Sequence, residues 1–183
     1  LQDLAISRNV EIIGGQTFYN CPVRNIKISP SLKKIGNNAF GTKESNNQSR
    51  NIYITDLSHW LTLDFGDDER NPMGTSSKSN LYLNNQLLSH LTIPDNIEYI
   101  KPYVFLGCHS IESITINNQV DSIGIRAFKK CVSIKDVKIG SGVKIIKESA
   151  FYDCENLYKV TLGEGLKEVE SGAFGNTKPT EVY

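Results

Sequence analysis

No charge of one sign predominates in this chain: twenty Lys and Arg balance twenty Asp and Glu, and the pI is near 7.0. Without a basic excess there is no electrostatic footprint for nucleic acid, and no basic amphipathic stretch marks a membrane surface. Long hydrophobic runs are also missing, the apolar stretches being far shorter than the ~20 residues of a membrane-spanning helix. No signal-peptide pattern is present; since the chain opens at Leu1 rather than Met, this says nothing about where a parent protein lives. Cysteine and histidine are sparse, at four and three. No C-x-x-C occurs, and His59, His90 and His109 share no ligand spacing with the cysteines, so no zinc site is expected. G-x-S-x-G, H-E-x-x-H and phosphate-binding glycine loops are all absent. The expectation is a chain that is not an enzyme and carries no cofactor and no metal. "GDDER" at 66–70 is acidic but lacks the alternating ligands of a calcium loop. Asn47-Gln48-Ser49 matches the N-glycosylation pattern.

What the chain does have is a repeat. Phe105, Phe128, Phe151 and Phe174 stand 23 residues apart, and Cys108, Cys131 and Cys154 keep the same interval, with Cys21 at the matching place in an earlier unit. Ile100, Ile123, Ile146 and Val169 form another column; Leu88, Ile111, Ile134 and Leu157 a third; Leu91, Ile114, Val137 and Val160 a fourth. Phe18 and Phe40 belong to units of 22. Agreement of this many apolar columns in one register marks a repeat protein. Within a unit, "SIESITI" or "NLYKVTL" alternates apolar and polar residues as a strand does. A turn follows ("NNQ", "GSG", "GEG" or "PDN"), then a second extended piece such as "VKII". The unit closes on Ala-Phe-x-x-Cys, whose spacing suits one turn of helix. A unit this small cannot bury its apolar face alone, but stacked copies bury each column against itself. Stacked cysteines have Cβ atoms about 4.8 Å apart against the ~3.8 Å of a disulfide, so the thiols are expected free and buried.

The pattern L-x-x-[IV]-x-[IL]-x-x-x-[VL]-x-x-I-x-x-x-A-F-x-x-C is seen in "IESITINNQVDSIGIRAFKKC" and "IKDVKIGSGVKIIKESAFYDC", and in part in "VRNIKISPSLKKIGNNAF". It resembles the BspA-like, or Treponema pallidum type, leucine-rich repeat. The resemblance implies an α/β repeat solenoid wound as a right-handed superhelix. A parallel sheet is expected on its concave face, with short strands or one-turn helices on the convex side. The position usually held by asparagine is Asn96 in one unit but Gln119, Gly142 and Gly165 in others, so no continuous asparagine ladder is expected there.

One leucine-rich repeat domain is expected over 1–183, with regular repeats in 1–40 and 88–183 and an enlarged irregular repeat or insert at 41–87. Between Phe40 and Leu88 the columns lapse. This stretch predicts a strand at Ile52–Ile54, a short helix capped by Asp56, and a hairpin turning at Asn84-Asn85. Trp60, Phe65, Asn71 and Pro72 are expected within the enlarged repeat, with Trp60 in its core. The chain opens and closes on strand-like segments ("LQDLAI" and "TEVY"), and the array is expected to continue beyond them.

For function, a strand presents alternate residues to solvent, and stacking gathers these into a face. Arg24, Lys27, His90, Glu112, Lys135, Asp136, Lys138, Tyr158 and Lys159 are the candidate binding residues of that face. Their mixture of both charges suits a protein partner. The resemblance implies a non-catalytic, monomeric module of a cell-surface or secreted protein, adhering to host or microbial proteins without membrane insertion or nucleic-acid binding. A carbohydrate-binding or carbohydrate-active solenoid and a structural spacer are the alternatives. A carbohydrate reading predicts aromatic platforms on the outward face, where these columns supply Tyr158 alone.

Overall fold

Each coil of the chain folds because β-branched and aliphatic residues recur at strand spacing, and each strand finds its hydrogen-bond partners one coil away. The structure is a computed structural model and describes residues 2–41, 49–65, 72–74 and 78–182. The acidic 66–70 segment, Asn47 and Asn71 lie outside the described residues. In chain order the elements begin with β1 (Asp3–Ala5), β2 (Ile12–Ile13), β3 (Asn25–Lys27), β4 (Lys34–Ile35) and β5 (Asn51–Ile54). Helix α1 (Leu57–Thr62) follows, then β6 (Asn80–Leu83), β7 (Gln86–Leu87), β8 (His90–Thr92) and β9 (Tyr99–Ile100). The last elements are β10 (Ser113–Ile116), β11 (Ser122–Ile123), β12 (Asp136–Ile139), β13 (Ile145–Ile146), β14 (Lys159–Thr161), β15 (Glu168–Val169) and β16 (Glu181–Val182).

Two sheets carry the longer strands, in the orders β1-β3-β5-β6-β7 and β8-β10-β12-β14-β16. The second extended piece of each coil forms its own narrow sheets, β2-β4 and β9-β11-β13-β15. Pairing is parallel except between β6 and β7, which form the expected antiparallel hairpin. Its turn residues Asn84 and Asn85 both take positive φ, 51° and 64°, as a tight hairpin turn requires. Between the two long sheets, Ser79 is bridged to Cys108, and the Ser110 hydroxyl accepts from the Leu81 N–H at 3.1 Å.

The phenylalanine column is realised in full. Phe105, Phe128 and Phe151 are completely buried, and the rings of Phe105, Phe128, Phe151 and Phe174 stack at 5.2, 5.0 and 5.1 Å. Phe18 and Phe40 stack at 5.3 Å in the first coils. Cys108, Cys131 and Cys154 are free, buried thiols; Cys131 and Cys154 donate to the carbonyls of Phe105 and Phe128 at 3.0 and 3.2 Å. Burial raises the pKa of all three. Gly142 and Gly165 stand where asparagine is usual because the backbones approach closely. A Cβ would lie 2.0 Å from the Asn118 carbonyl oxygen at the first and 1.9 Å from that of Ser141 at the second.

The expected turn of helix at Ala-Phe is not formed. Each segment is a run of turns in which two residues four apart take positive φ: Tyr103 and Gly107, Arg126 and Lys130, Ser149 and Asp153, Gly172 and Asn176. A left-handed residue at that spacing breaks a right-handed helix. The hydrogen bonds then alternate. Ala127, Lys129 and Cys131 donate to carbonyls three residues back, whereas Arg126, Phe128 and Lys130 donate across to Glu148, Ala150 and Tyr152 of the next coil. This segment is therefore knitted to its neighbours by backbone bonds, which a helical turn would have kept to itself.

Residues 41–87 form the expected strand, capped helix and hairpin. The columns do not lapse at the strands: β5 pairs in register with β3, and β6 with β5. Helix α1 is capped by Asp56, whose carboxylate accepts from the His59 N–H at 3.2 Å. Six residues are too few for a helix to stand alone. Its Trp60 is fully buried against Phe65, with ring centroids 5.0 Å apart, and the indole N–H donates to the Val104 carbonyl at 3.2 Å. Arg50 is also buried, donating to the carbonyls of Val23, Phe40 and Pro72 at 3.3, 2.8 and 3.0 Å. Burial lowers its pKa, yet a guanidinium stays protonated, so three carbonyl dipoles solvate a cation at the start of β5.

Candidate functional site

The strand face is built by alternation. In each long strand the apolar position turns inward (Ile26, Ile52, Leu81, Leu91, Ile114, Val137 and Val160 are buried), so its neighbours face out. Register then aligns the outward residues into rows. Over the first sheet one row reads Asp3, Asn25, Asn51, Asn80 and the next Ala5, Lys27, Tyr53, Tyr82. Over the second sheet the rows read His90, Ser113, Asp136, Lys159 and Thr92, Thr115, Lys138, Thr161.

The nine candidate residues fall on both sheets. Arg24 and Lys27 are exposed on the first sheet, apart from the other seven. On the second sheet, Glu112 and Lys135 form an ion pair at 2.9 Å, which lowers the Glu112 pKa. Both ends of this pair are exposed, so it adds little to stability. The imidazole Nδ1 of His90 lies 2.8 Å from the Ser113 hydroxyl. Asp136 sits in register between Ser113 and Lys159, half-buried, with Oδ1 shielded from solvent and unbonded. Lys138 is exposed, and Tyr158 is 47% exposed.

Five face residues were not anticipated: Asn51, Tyr53, Asn80, Tyr82 and Leu87. Asn25 donates to Asp3 at 2.6 Å, Asn51 to Asn25 at 2.9 Å and Asn80 to Asn51 at 3.3 Å, a ladder of side-chain amides across four strands. Beside it Tyr53 and Tyr82 stack at 4.7 Å and 19°. Leu87 stands opposite Tyr82 across the hairpin and is 51% exposed. The signal was present in the four-letter strings "NIKI", "NIYI" and "NLYL", at unequal spacing. Among the described residues no group of three or more His, Cys, Asp or Glu is placed to hold a metal ion. His59 lies 2.7 Å from the Leu32 carbonyl and His109 3.3 Å from Ser133, so the histidines serve separate local bonds.

The model of the BspA type leucine-rich repeat region matches six copies over residues 1–58 and 75–183. This chain belongs to the BspA-type leucine-rich repeat family. A leucine-rich repeat protein of Bacteroides ovatus superimposes with a TM-score of 0.57 at 20% identity, covering 96% of this chain and 46% of that one. A leucine-rich repeat protein of Bacteroides capillosus gives 0.48 at 25% identity, over 52% of this chain and 75% of that one. A leucine-rich cell surface protein of Faecalibacterium prausnitzii gives 0.48 at 20% identity, over 100% of this chain and 59% of that one. No curated protein matches the chain. The BspA-type chain thus spans about half the length of two of these relatives, and the B. ovatus superposition shows its fold to be the stacked parallel-strand solenoid of leucine-rich repeat proteins.

Proposed function

We propose that this BspA-type domain is a protein-binding module that works through its strand face, as the adhesive part of a cell-surface or secreted protein. The carrying observation is the face itself: rows of outward side chains, held in register over two sheets and left free of the core. Solenoids present such extended surfaces to partners. Leucine-rich repeat domains in general mediate protein interactions and are in general not enzymes. Arg24, Lys27, His90, Glu112, Lys135, Asp136, Lys138, Tyr158 and Lys159 are the proposed contact residues, with residues 41–87 read as an enlarged repeat of the same domain. Tyr158 offers a large contact area at little side-chain entropy cost, and the exposed lysines steer an acidic partner. Among the described residues no helix is long and apolar enough to cross a membrane. The test is a binding panel of immobilised extracellular-matrix proteins beside a glycan array. Binding to a protein that weakens in Tyr158→Ala/Lys138→Ala supports the proposal. Hits confined to polysaccharides overturn it.

A further inference from the structure

Charge and apolarity are unevenly distributed along the strand face. Over the second sheet the outward rows are polar, mixing hydroxyl residues with His90, Asp136, Lys138 and Lys159, and Glu112 and Lys135 neutralise one another. Over the first sheet one register row is different: Lys27, Tyr53, Tyr82, then Leu87 across the hairpin. Ile12, Val169 and Val182 expose apolar surface in the first and last coils, whereas Leu87 does so in mid-chain, where the two sheets meet. At the other end of the row, no carboxylate pairs with Lys27 or the nearby Arg24 among the described residues. The row therefore runs from a lysine with no ion pair among the described residues, through aromatic surface, to an exposed aliphatic side chain.

Resting on the strand face being a protein-binding surface, we propose that the row Lys27–Tyr53–Tyr82–Leu87 is the anchor site for an extended peptide segment of the partner. An acidic residue of that segment lies over Lys27, an aromatic residue over the tyrosine pair and an aliphatic residue over Leu87. The spacing follows from sheet geometry. Three inter-strand steps of about 4.8 Å separate Lys27 from Leu87, roughly 14 Å in all, which an extended chain crosses in about four residues. Alternate residues of an extended chain face one side, so the three anchors fall at i, i+2 and i+4. Charge complementarity selects the acid, and the desolvation of a tyrosine pair beside an aliphatic side chain selects apolar anchors. A sugar fits less well. Tyr53 and Tyr82 spend their shared ring faces on each other at 4.7 Å, and the asparagine amides beside them are bonded along their own row. What is offered to a ligand is ring edges and hydroxyls, which suit a protein side chain and not the flat face of a pyranose.

The experiment is an NMR titration of the 15N-labelled chain with the capped peptide GSESFSLSG, its reversed-order form GSLSFSESG, the lysine counterpart GSKSFSLSG and, separately, cellohexaose. An acidic peptide, in either order, is expected to shift the side-chain amides of Asn51 and Asn80 and the backbone amides of Tyr53 and Tyr82. Leu87→Asp, at an exposed position that leaves the fold intact, is expected to weaken it about tenfold. Lys27→Glu is expected to reverse the preference toward the lysine peptide. Absence of shifts in this row at millimolar peptide, or an unchanged preference for the acidic peptide in Lys27→Glu, overturns the proposal. Shifts confined to 135–138 and 158–161 overturn this site while leaving the strand face as the binding surface. Cellohexaose binding here in place of peptide overturns both.

Discussion

Replacing Phe151 by Ala removes the middle of a ring stack and probes the column on which the solenoid rests. The side chain is completely buried, with Phe128 at 5.0 Å and Phe174 at 5.1 Å, nearly parallel to both. Truncating a buried Phe costs about 3–5 kcal/mol, and the value depends on how far the surroundings collapse into the space. Here collapse is resisted, because backbone bonds fix the coil spacing on both sides: Phe128 N–H to Ala150 at 2.8 Å and Phe151 N–H to Ala173 at 2.7 Å. The loss therefore belongs in the upper half of the range, at about 4–5 kcal/mol. With a urea m-value of about 2 kcal/mol/M, the unfolding midpoint falls by roughly 2 M. Phe174 has one stacked neighbour and is only half-buried, so Phe174→Ala is expected to cost about half as much. Urea titrations followed by circular dichroism give the midpoints. Hydrogen exchange should show protection lost first at the amides of Phe151 and Asp153, since units of a solenoid couple only to their neighbours. An unchanged midpoint, or a larger loss in Phe174→Ala than in Phe151→Ala, refutes the column.

The turns around Ser149 supply a second test. Ser149 holds φ at 55°, and its counterpart one coil later is Gly172 at 66°. Ser149→Gly should raise stability by up to about 1 kcal/mol in a urea titration, because glycine adopts this conformation without strain; a loss of comparable size refutes the left-handed assignment. Thiol chemistry supplies a third. With Cys108, Cys131 and Cys154 buried and their pKa values raised, only the half-buried Cys21 should react with Ellman's reagent in the native chain. Rapid modification of two or more thiols without denaturant contradicts the packing.

The phenylalanine, cysteine and strand columns were legible because each repeats at a fixed interval and is buried in the inner coils, with Val169 and Phe174 more exposed in the last ones. Asp56 as a cap and Asn84-Asn85 as a hairpin turn were legible from local chemistry alone. The Ala-Phe segment was not. Ala-Phe-x-x-Cys satisfies helix spacing and turn spacing equally, and the residues that decide between them include Arg126, Lys130 and Ser149, types that give no hint of a left-handed backbone. The tyrosine and asparagine rows were hidden for another reason. Asn25, Asn51 and Asn80 are 26 and 29 residues apart, so a search in steps of 22 or 23 passes over them. The extra residues between these strands, α1 among them, lengthen the coils without disturbing the strands, since register depends on strand pairing and not on loop length. Glu112 and Lys135 stand 23 residues apart, so the repeat sets them in neighbouring coils, and only their closure to 2.9 Å needed the structure.

Whether the strand face is the working surface is tested most directly by hydrogen exchange of this domain with and without a bound protein partner. Slower exchange is expected along the long strands, at β3, β5 and β6 and at β8, β10, β12 and β14. The narrow sheet of β9, β11, β13 and β15 should be unchanged. A footprint confined to that narrow sheet, or to the turns around Arg126 and Ser149, contradicts the account.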